Sequence, residues 1–260
     1  MPPARILERE RELAELERLV RAATAGEGQV VLLGGPAGIG KTELLRHARR
    51  LAEDAGSTCL SAVASALDRS FAFGLVHQLL GPVLAGADPA RRERLLSGAA
   101  ARADVVLRAD ADPELVGDPG FAVLHGLYWL LVNLAEEGPL ALLVDDLHWA
   151  DGPSLRLLEY VGRRIEGVSL LVAGTVRTGE PGADEEVLAA LAAGPAAHTL
   201  WPGVLSEEAA RTLVAEGLGH DPEPAFASAC AAATGGNPLL LRALVREAAD
   251  RGLQGTAAEA

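Results

Sequence analysis

Lysine is almost missing from this sequence: of 23 basic residues only Lys41 is a lysine, and the remaining positive charges are arginine. A guanidinium is a wide planar fork and an ammonium a compact point charge, so one retained lysine marks a place that admits only the smaller cation. Cysteine is nearly as scarce. Cys59 and Cys230 give no disulfide framework, and with the six histidines they show no metal-ligand spacing. Long apolar runs are lacking too. The stretch LYWLLVNLA at 127–135 is interrupted and far shorter than a membrane span, and the opening MPPARILERERELAEL has no apolar core of a secretion signal. No membrane partner is expected, and a reducing, cytoplasmic location is. Positive charge is in deficit overall: 36 acidic residues give a net charge of −13, a surface that repels phosphate backbones and argues against direct nucleic-acid binding.

What is present is ample apolar material, 49% of 260 residues, enough for one large domain or a large one with a small companion. Leu13, Leu16, Leu19, Val20 and Ala23 recur at helical spacing within an expected helix over 8–24. QVVLL (29–33) is a short apolar run that enters a glycine-rich turn, and a helix is expected from Lys41 to about Ala55. STCLSAV (57–63), ALLVDD (141–146), VSLLVAGTV (168–176) and AHTLWP (197–202) read as further strands, with a helix at 153–165. The region 64–138 reads as a helical insertion broken at Gly81-Pro82, Asp88-Pro89, Asp112-Pro113 and Asp118-Pro119. Beyond Pro202 only helices are expected, at 206–217, 223–233 and 238–250. The alternation predicts an α/β fold with a mainly parallel sheet and helices on both faces, over residues 1–202, then a small all-helical unit over 203–260.

The stretch GGPAGIGKTELL (34–45) contains Gly35-x-x-x-x-Gly40-Lys41-Thr42, the Walker A pattern, between a strand and a helix. There the backbone amides of Gly35, Pro36, Ala37, Gly38, Ile39 and Gly40, proline excepted, and the start of a helix can surround one anion. Lys41 is expected at the β- and γ-phosphates and the Thr42 hydroxyl on Mg²⁺. Asp145 and Asp146 end an apolar strand, where ligands of open α/β sheets gather. Asp145 is expected to hold Mg²⁺ as the Walker B acid, and Asp146 to orient or deprotonate the attacking water. The rival reading is a strand end entering a turn.

The block LLVDDLHWADGPSLRLLEYV resembles the Walker B segment of STAND-type ATPases, in particular the ATPase domains of large LuxR-type transcriptional regulators. ILERERELAEL (6–16) is similar to that class's N-terminal motif at Arg9, Glu10 and Glu12, with Glu8 where the pattern has glycine. LLVAGTVR (170–177) resembles the strand ending in the family's sensor arginine, here Arg177, and GGNPLLL (235–241) resembles the lid motif through Gly236 and Pro238. The resemblance implies a three-layer, AAA-like P-loop NTPase of the ASCE division with a helical lid, binding ATP or ADP with Mg²⁺ as a slowly hydrolysing regulatory switch. It implies partners among other domains of a larger regulator, or self-association. It also implies that Arg9 and Pro238 contact the nucleotide and that Arg177 senses the γ-phosphate.

Each role has a structural rival. Arg9 sits in a charged run that fits a solvated helix face, Arg177 fits a surface position past a strand, and Asn237-Pro238 makes a good helix cap. His148 and Trp149 fit packing of the strand-to-helix connection, and Asp151 a cap. Arg163 and Arg164 lie where oligomeric AAA+ relatives carry an arginine finger, but a helix C-terminus favours cations anyway. An oligomeric motor is therefore a second reading, and a small-molecule kinase, needing an acceptor pocket in 64–138, a third.

Overall fold

Alternate residues of the first strand, β1 (Gln29–Gly35), enter two different apolar cores: Val30 and Leu32 face one side, Val31 and Leu33 the other. The same division recurs in β3 (Leu140–Asp145) and β4 (Leu170–Arg177), which explains why these strands read as continuous apolar runs. With β2 (Thr58–Val63) and β5 (Ala197–Leu200) they form one sheet in the order β2-β3-β4-β1-β5, every pairing parallel. The computed structural model describes residues 6–108, 120–180 and 183–260. The expected breaks at Asp112-Pro113 and Asp118-Pro119 lie outside them.

One face of the sheet is covered by α1 (Glu10–Thr24) and α2 (Lys41–Asp54), whose Leu16, Leu19, Leu44 and Ala48 meet Val31, Leu33 and Leu143. The other face carries the insertion and two later helices. These are α3 (Gly74–Ala85), α4 (Pro89–Leu95), α5 (Asp104–Leu107), α6 (Phe121–Glu136), α7 (Gly152–Gly162) and α8 (Glu185–Ala192). The result is a three-layer α/β/α arrangement. A third apolar cluster is built separately by α9 (Glu207–Leu218), α10 (Pro224–Thr234) and α11 (Pro238–Asp250), around Leu213, Phe226, Leu241 and Val245.

Two local expectations are corrected. The helix expected over 8–24 begins only at Glu10, because Glu8 has φ 54°, a left-handed conformation that cannot continue an α-helix. The break expected at Gly81-Pro82 does not occur: α3 runs through Pro82. Leu75, Val76, Leu79, Leu80 and Leu84 of that helix are all buried. At roughly 1.5–3 kcal/mol for each large apolar side chain, their burial outweighs the roughly 3 kcal/mol cost of an internal proline. The Asp88-Pro89 break is present, with the Asp88 carboxylate accepting from the Arg91 amide at 2.9 Å and Pro89 opening α4.

The strand order positions the chemistry. β4 lies between β1 and β3, so the carboxyl ends bearing Gly35, Arg177 and Asp145 stand side by side, with Gly35 directly opposite Arg177.

Candidate nucleotide site

The loop between β1 and α2 closes at Gly40, whose φ of 103° makes it a left-handed cap that side chains rarely tolerate. Lys41, the first residue of α2, is buried, and its Nζ donates to the Gly35 and Pro36 carbonyls at 2.8 Å each. Burial lowers its pKa, the nearby Arg177 charge adds to the lowering, and Asp146 and Asp145 oppose it. The next residue reaches the second strand end. Thr42 Oγ1 donates to Asp145 Oδ1 at 3.2 Å, and Thr175 Oγ1 donates to the same oxygen at 2.6 Å.

Thr175 is fully buried and bridges the two acids, since its hydroxyl also accepts from the Asp146 amide at 2.8 Å. Asp146 itself has φ 55° and ψ 42° and caps the short 3₁₀ turn Leu147–Trp149. Asp145, still within β3, meets Thr42, while Asp146 past the strand end lines a cavity of about 400 Å³ together with Lys41, Thr42 and Arg177. Gly35 and Pro36 stand behind the wall as acceptors for Lys41, while Ala37, Gly38, Ile39 and Gly40 form it. Asp145 lies behind Thr42.

The cavity has an apolar end made by Ile6, Leu7, Leu205, Leu213, Pro238 and Leu239, which draws on the N-terminal segment, the linker and the C-terminal helices together. Arg9 does not lie on a solvated face. It is buried, its Nη2 donates to the Ile39 carbonyl at 3.3 Å and to the Gly203 carbonyl, and its Nη1 donates to the Glu8 carbonyl at 2.8 Å. Asn237 does cap α11, accepting from the Leu239 and Leu240 amides at 3.1 and 3.3 Å. Its Nδ2 also donates to the Ala37 carbonyl at 2.8 Å, and the Leu239 amide approaches the Gly38 carbonyl at 3.2 Å, so α11 starts directly on the phosphate loop. A Cβ on Gly38 would lie 2.7 Å from both Asn237 Oδ1 and Leu239 Cβ.

Arg177 lines the cavity and pairs with Glu180 at 3.1 Å. His148 is completely buried, and burial pushes its pKa down; Asp146 is the first of the charges that act on it, in the opposite sense. Asp151 caps α7 through the Ser154 amide at 2.9 Å and also receives the Phe73 and Leu75 amides at 2.8 and 3.2 Å, fixing the start of α3. Arg163 pairs with Glu159 of its own helix, and the Arg164 guanidinium lies 3.8 Å from the Tyr160 ring centre.

Three contributors had no role assigned from the sequence, although Thr175 stood out two positions before Arg177. Thr175 carried a signal, as the lone hydroxyl in the apolar run LLVAGTV. Arg242 also lines the cavity; it lies four residues after Pro238, hence on the same helix face, and that spacing was its signal. The Glu8 carboxylate carried none, because its partner, Ser206, lies 198 positions away.

Thr42 and Asp145 present hard oxygen donors 3.2 Å apart, the chemistry that suits Mg²⁺ held jointly with nucleotide phosphates. Among the described residues no cluster of three or more His, Cys, Asp or Glu side chains forms a metal cage. The glycine-rich loop, buried lysine, threonine and strand-end acids on a parallel sheet define a P-loop ATPase domain. Residues 5–173 match the AAA ATPase domain family, and the chain belongs to it.

An uncharacterized protein of Rhizobium meliloti (strain 1021) is 30% identical over 199 residues, covering 66% of this chain and 18% of that protein. The fold is shared with a STAND protein from Pyrococcus horikoshii that carries a tetratricopeptide repeat sensor. There the TM-score is 0.52 at 20% identity, over 91% of this chain and 29% of that one. It is shared also with Cdc6p of Pyrobaculum aerophilum (TM-score 0.57, 15% identity, 97% of this chain and 65% of that one). The Orc1 protein of Aeropyrum pernix, solved in complex with DNA, matches with a TM-score of 0.53 at 20% identity, over 98% of this chain and 63% of that one. The chain thus spans less than two thirds of each of these relatives. Among the described residues, no helix is long and apolar enough to cross a membrane.

Proposed function

We propose that this chain is the nucleotide switch of a larger signalling or transcriptional regulator, binding Mg-ATP or Mg-ADP and hydrolysing ATP slowly. The observation that carries this reading is the seating of α11 on the phosphate loop through Asn237 and Leu239. A helical lid over 203–260 that begins on that loop has contacts to lose or gain when the phosphates change, which gives the differential affinity a switch requires.

In this reading Lys41 leaves the Gly35 and Pro36 carbonyls for the β- and γ-phosphates. Thr42 and Asp145 would hold Mg²⁺, which when bound would supply charge neutralisation at the phosphate oxygens. Asp146 takes a proton from the attacking water, with Thr175 fixing its backbone. Arg177 exchanges Glu180 for the γ-phosphate and thereby reports its presence. Arg9 ties the N-terminal segment to both the loop and the linker, and the apolar end of the cavity receives the base.

The test is to identify by mass spectrometry the nucleotide released from freshly purified protein and to follow turnover in the same sample. Retained ADP or ATP, turnover well below one per second, and loss of binding in Lys41→Ala are the expected results. Unchanged binding in that variant overturns the reading. Turnover that rises steeply on assembly into rings would favour the motor.

A further inference from the structure

Two donors behind the cavity wall are buried without a partner among the described residues, His148 Nε2 and Arg177 Nε. They are linked to each other. The Arg177 backbone amide donates to His148 Nδ1 at 3.3 Å. A ring nitrogen that accepts cannot also carry the ring's proton, so in the neutral imidazole that proton is on Nε2. The nearest carboxylate to it is Asp146, whose Oδ1 lies 3.9 Å away. The histidine is wholly buried while the Asp146 side chain is 38% exposed, so the pair spans the wall from the interior to the cavity.

We propose that His148 is a positioning residue for Asp146: its Nε2–H donates to the Asp146 carboxylate and selects the rotamer in which that carboxylate meets the attacking water. The inference rests on the reading of Asp146 as the water-activating group. The gap needs to close by about 1 Å to reach hydrogen-bond length, a movement assigned to rotation of the partly exposed aspartate side chain. The backbone of Asp146 cannot drift meanwhile, because its amide is held by Thr175 in a left-handed turn. The second ring nitrogen is held by the end of β4, so the orientation of Asp146 is tied to the same strand end that carries Arg177. A ring that only filled space against Trp149, with centroids 5.3 Å apart, would need no unpartnered ring nitrogen 3.9 Å from the acid.

The experiment is single-turnover ATP hydrolysis, with nucleotide affinity measured separately, in His148→Asn, His148→Gln, Asp146→Asn and the His148→Asn/Asp146→Asn double variant. Asparagine places an oxygen near the Nδ1 position and nothing at Nε2, whereas glutamine reaches the Nε2 position with an N–H. His148→Asn is expected to slow the chemical step roughly 10- to 100-fold, the range for removing a group that orients a site residue, with nucleotide affinity changed less than about twofold. His148→Gln is expected to recover most of that loss, and the double variant to be no slower than Asp146→Asn alone.

Rates that multiply in the double variant, or a loss of affinity matching the loss of rate, would overturn the inference in favour of packing. If His148→Asn does not fold, nitrogen-15 spectra of histidine-labelled wild type and Asp146→Asn decide. The His148 Nε2–H resonance is expected to move between the two, and an unmoved resonance sinks the proposal. If Asp146→Asn leaves turnover unchanged, it is the reading of Asp146 as water activator that fails, and the same spectra judge the contact alone.

Discussion

Lys41 shows why one ammonium survives in a chain otherwise supplied with arginine. Its Nζ sits within 2.8 Å of two loop carbonyls, in a position only 7% exposed. A guanidinium, wider and planar, cannot occupy that place without displacing the loop backbone. Lys41→Arg, although it conserves charge, is therefore expected to weaken ATP binding at least about tenfold, equivalent to about 1.4 kcal/mol. Equilibrium titration with a fluorescent nucleotide measures it, and wild-type affinity would make the lone lysine an accident of codon usage. At this scale the sequence was legible wherever chemistry is written into neighbouring positions. Gly35 to Thr42 form one contiguous pattern, and Asp145-Asp146 end one apolar run. Arg9 was not legible as a buried pin, because its acceptors, the Ile39 and Gly203 carbonyls, are backbone groups 30 and 194 positions away. No side-chain pattern announces a carbonyl.

Helix α11 is the element on which the switch reading depends, and its N-cap serves two ends at once. Serine is as good a cap as asparagine but is too short to reach the Ala37 carbonyl. Asn237→Ser therefore separates the roles: helix content and melting temperature are expected to hold, while hydrogen exchange at the Leu239 amide, which faces the Gly38 carbonyl, accelerates several-fold. Protection equal to wild type would mean that the cap alone seats the helix. Strands and helices of the core were readable from their apolar periodicity, since burial on both faces leaves continuous runs in β1, β3 and β4. The two departures at this scale, the late start of α1 and the unbroken α3, came from backbone conformation at Glu8 and from burial that outweighs a proline. Neither can be weighed before the neighbours are known.

Across the whole molecule, the N-terminal segment acts as a tie between the sheet domain and the C-terminal helices. Leu7 packs on the apolar cluster of α9 to α11, and the Glu8 carboxylate accepts from the Ser206 amide at 2.8 Å and from the Ser206 hydroxyl, at the start of α9. Those two bonds, the hydroxyl's first, hold the Glu8 carboxyl below its ordinary value of 4.5. A carboxyl with a lowered folded-state pKa stabilises the contact fully above its unfolded value and ceases to do so as pH falls through the lowered one. Exchange at the Ser206 amide is thus expected to show an acid-dependent opening below about pH 4.5 that Glu8→Gln lacks, given the ordinary carboxylate range. A step that persists in Glu8→Gln would assign the opening elsewhere. Long-range ties of this kind were the least legible part of the molecule, because they join ends of the chain across nearly 200 positions.

The single lysine has one more consequence, for labelling chemistry. Apart from the α-amine, these 260 residues offer an acylating reagent one amine, and it lies inside the phosphate loop with a lowered pKa that favours its nucleophilic form. On the proposed reading, the extent of acylation at Lys41, read by mass in its own peptide so that the α-amine does not contribute, gauges how much of the population holds nucleotide without any engineered probe.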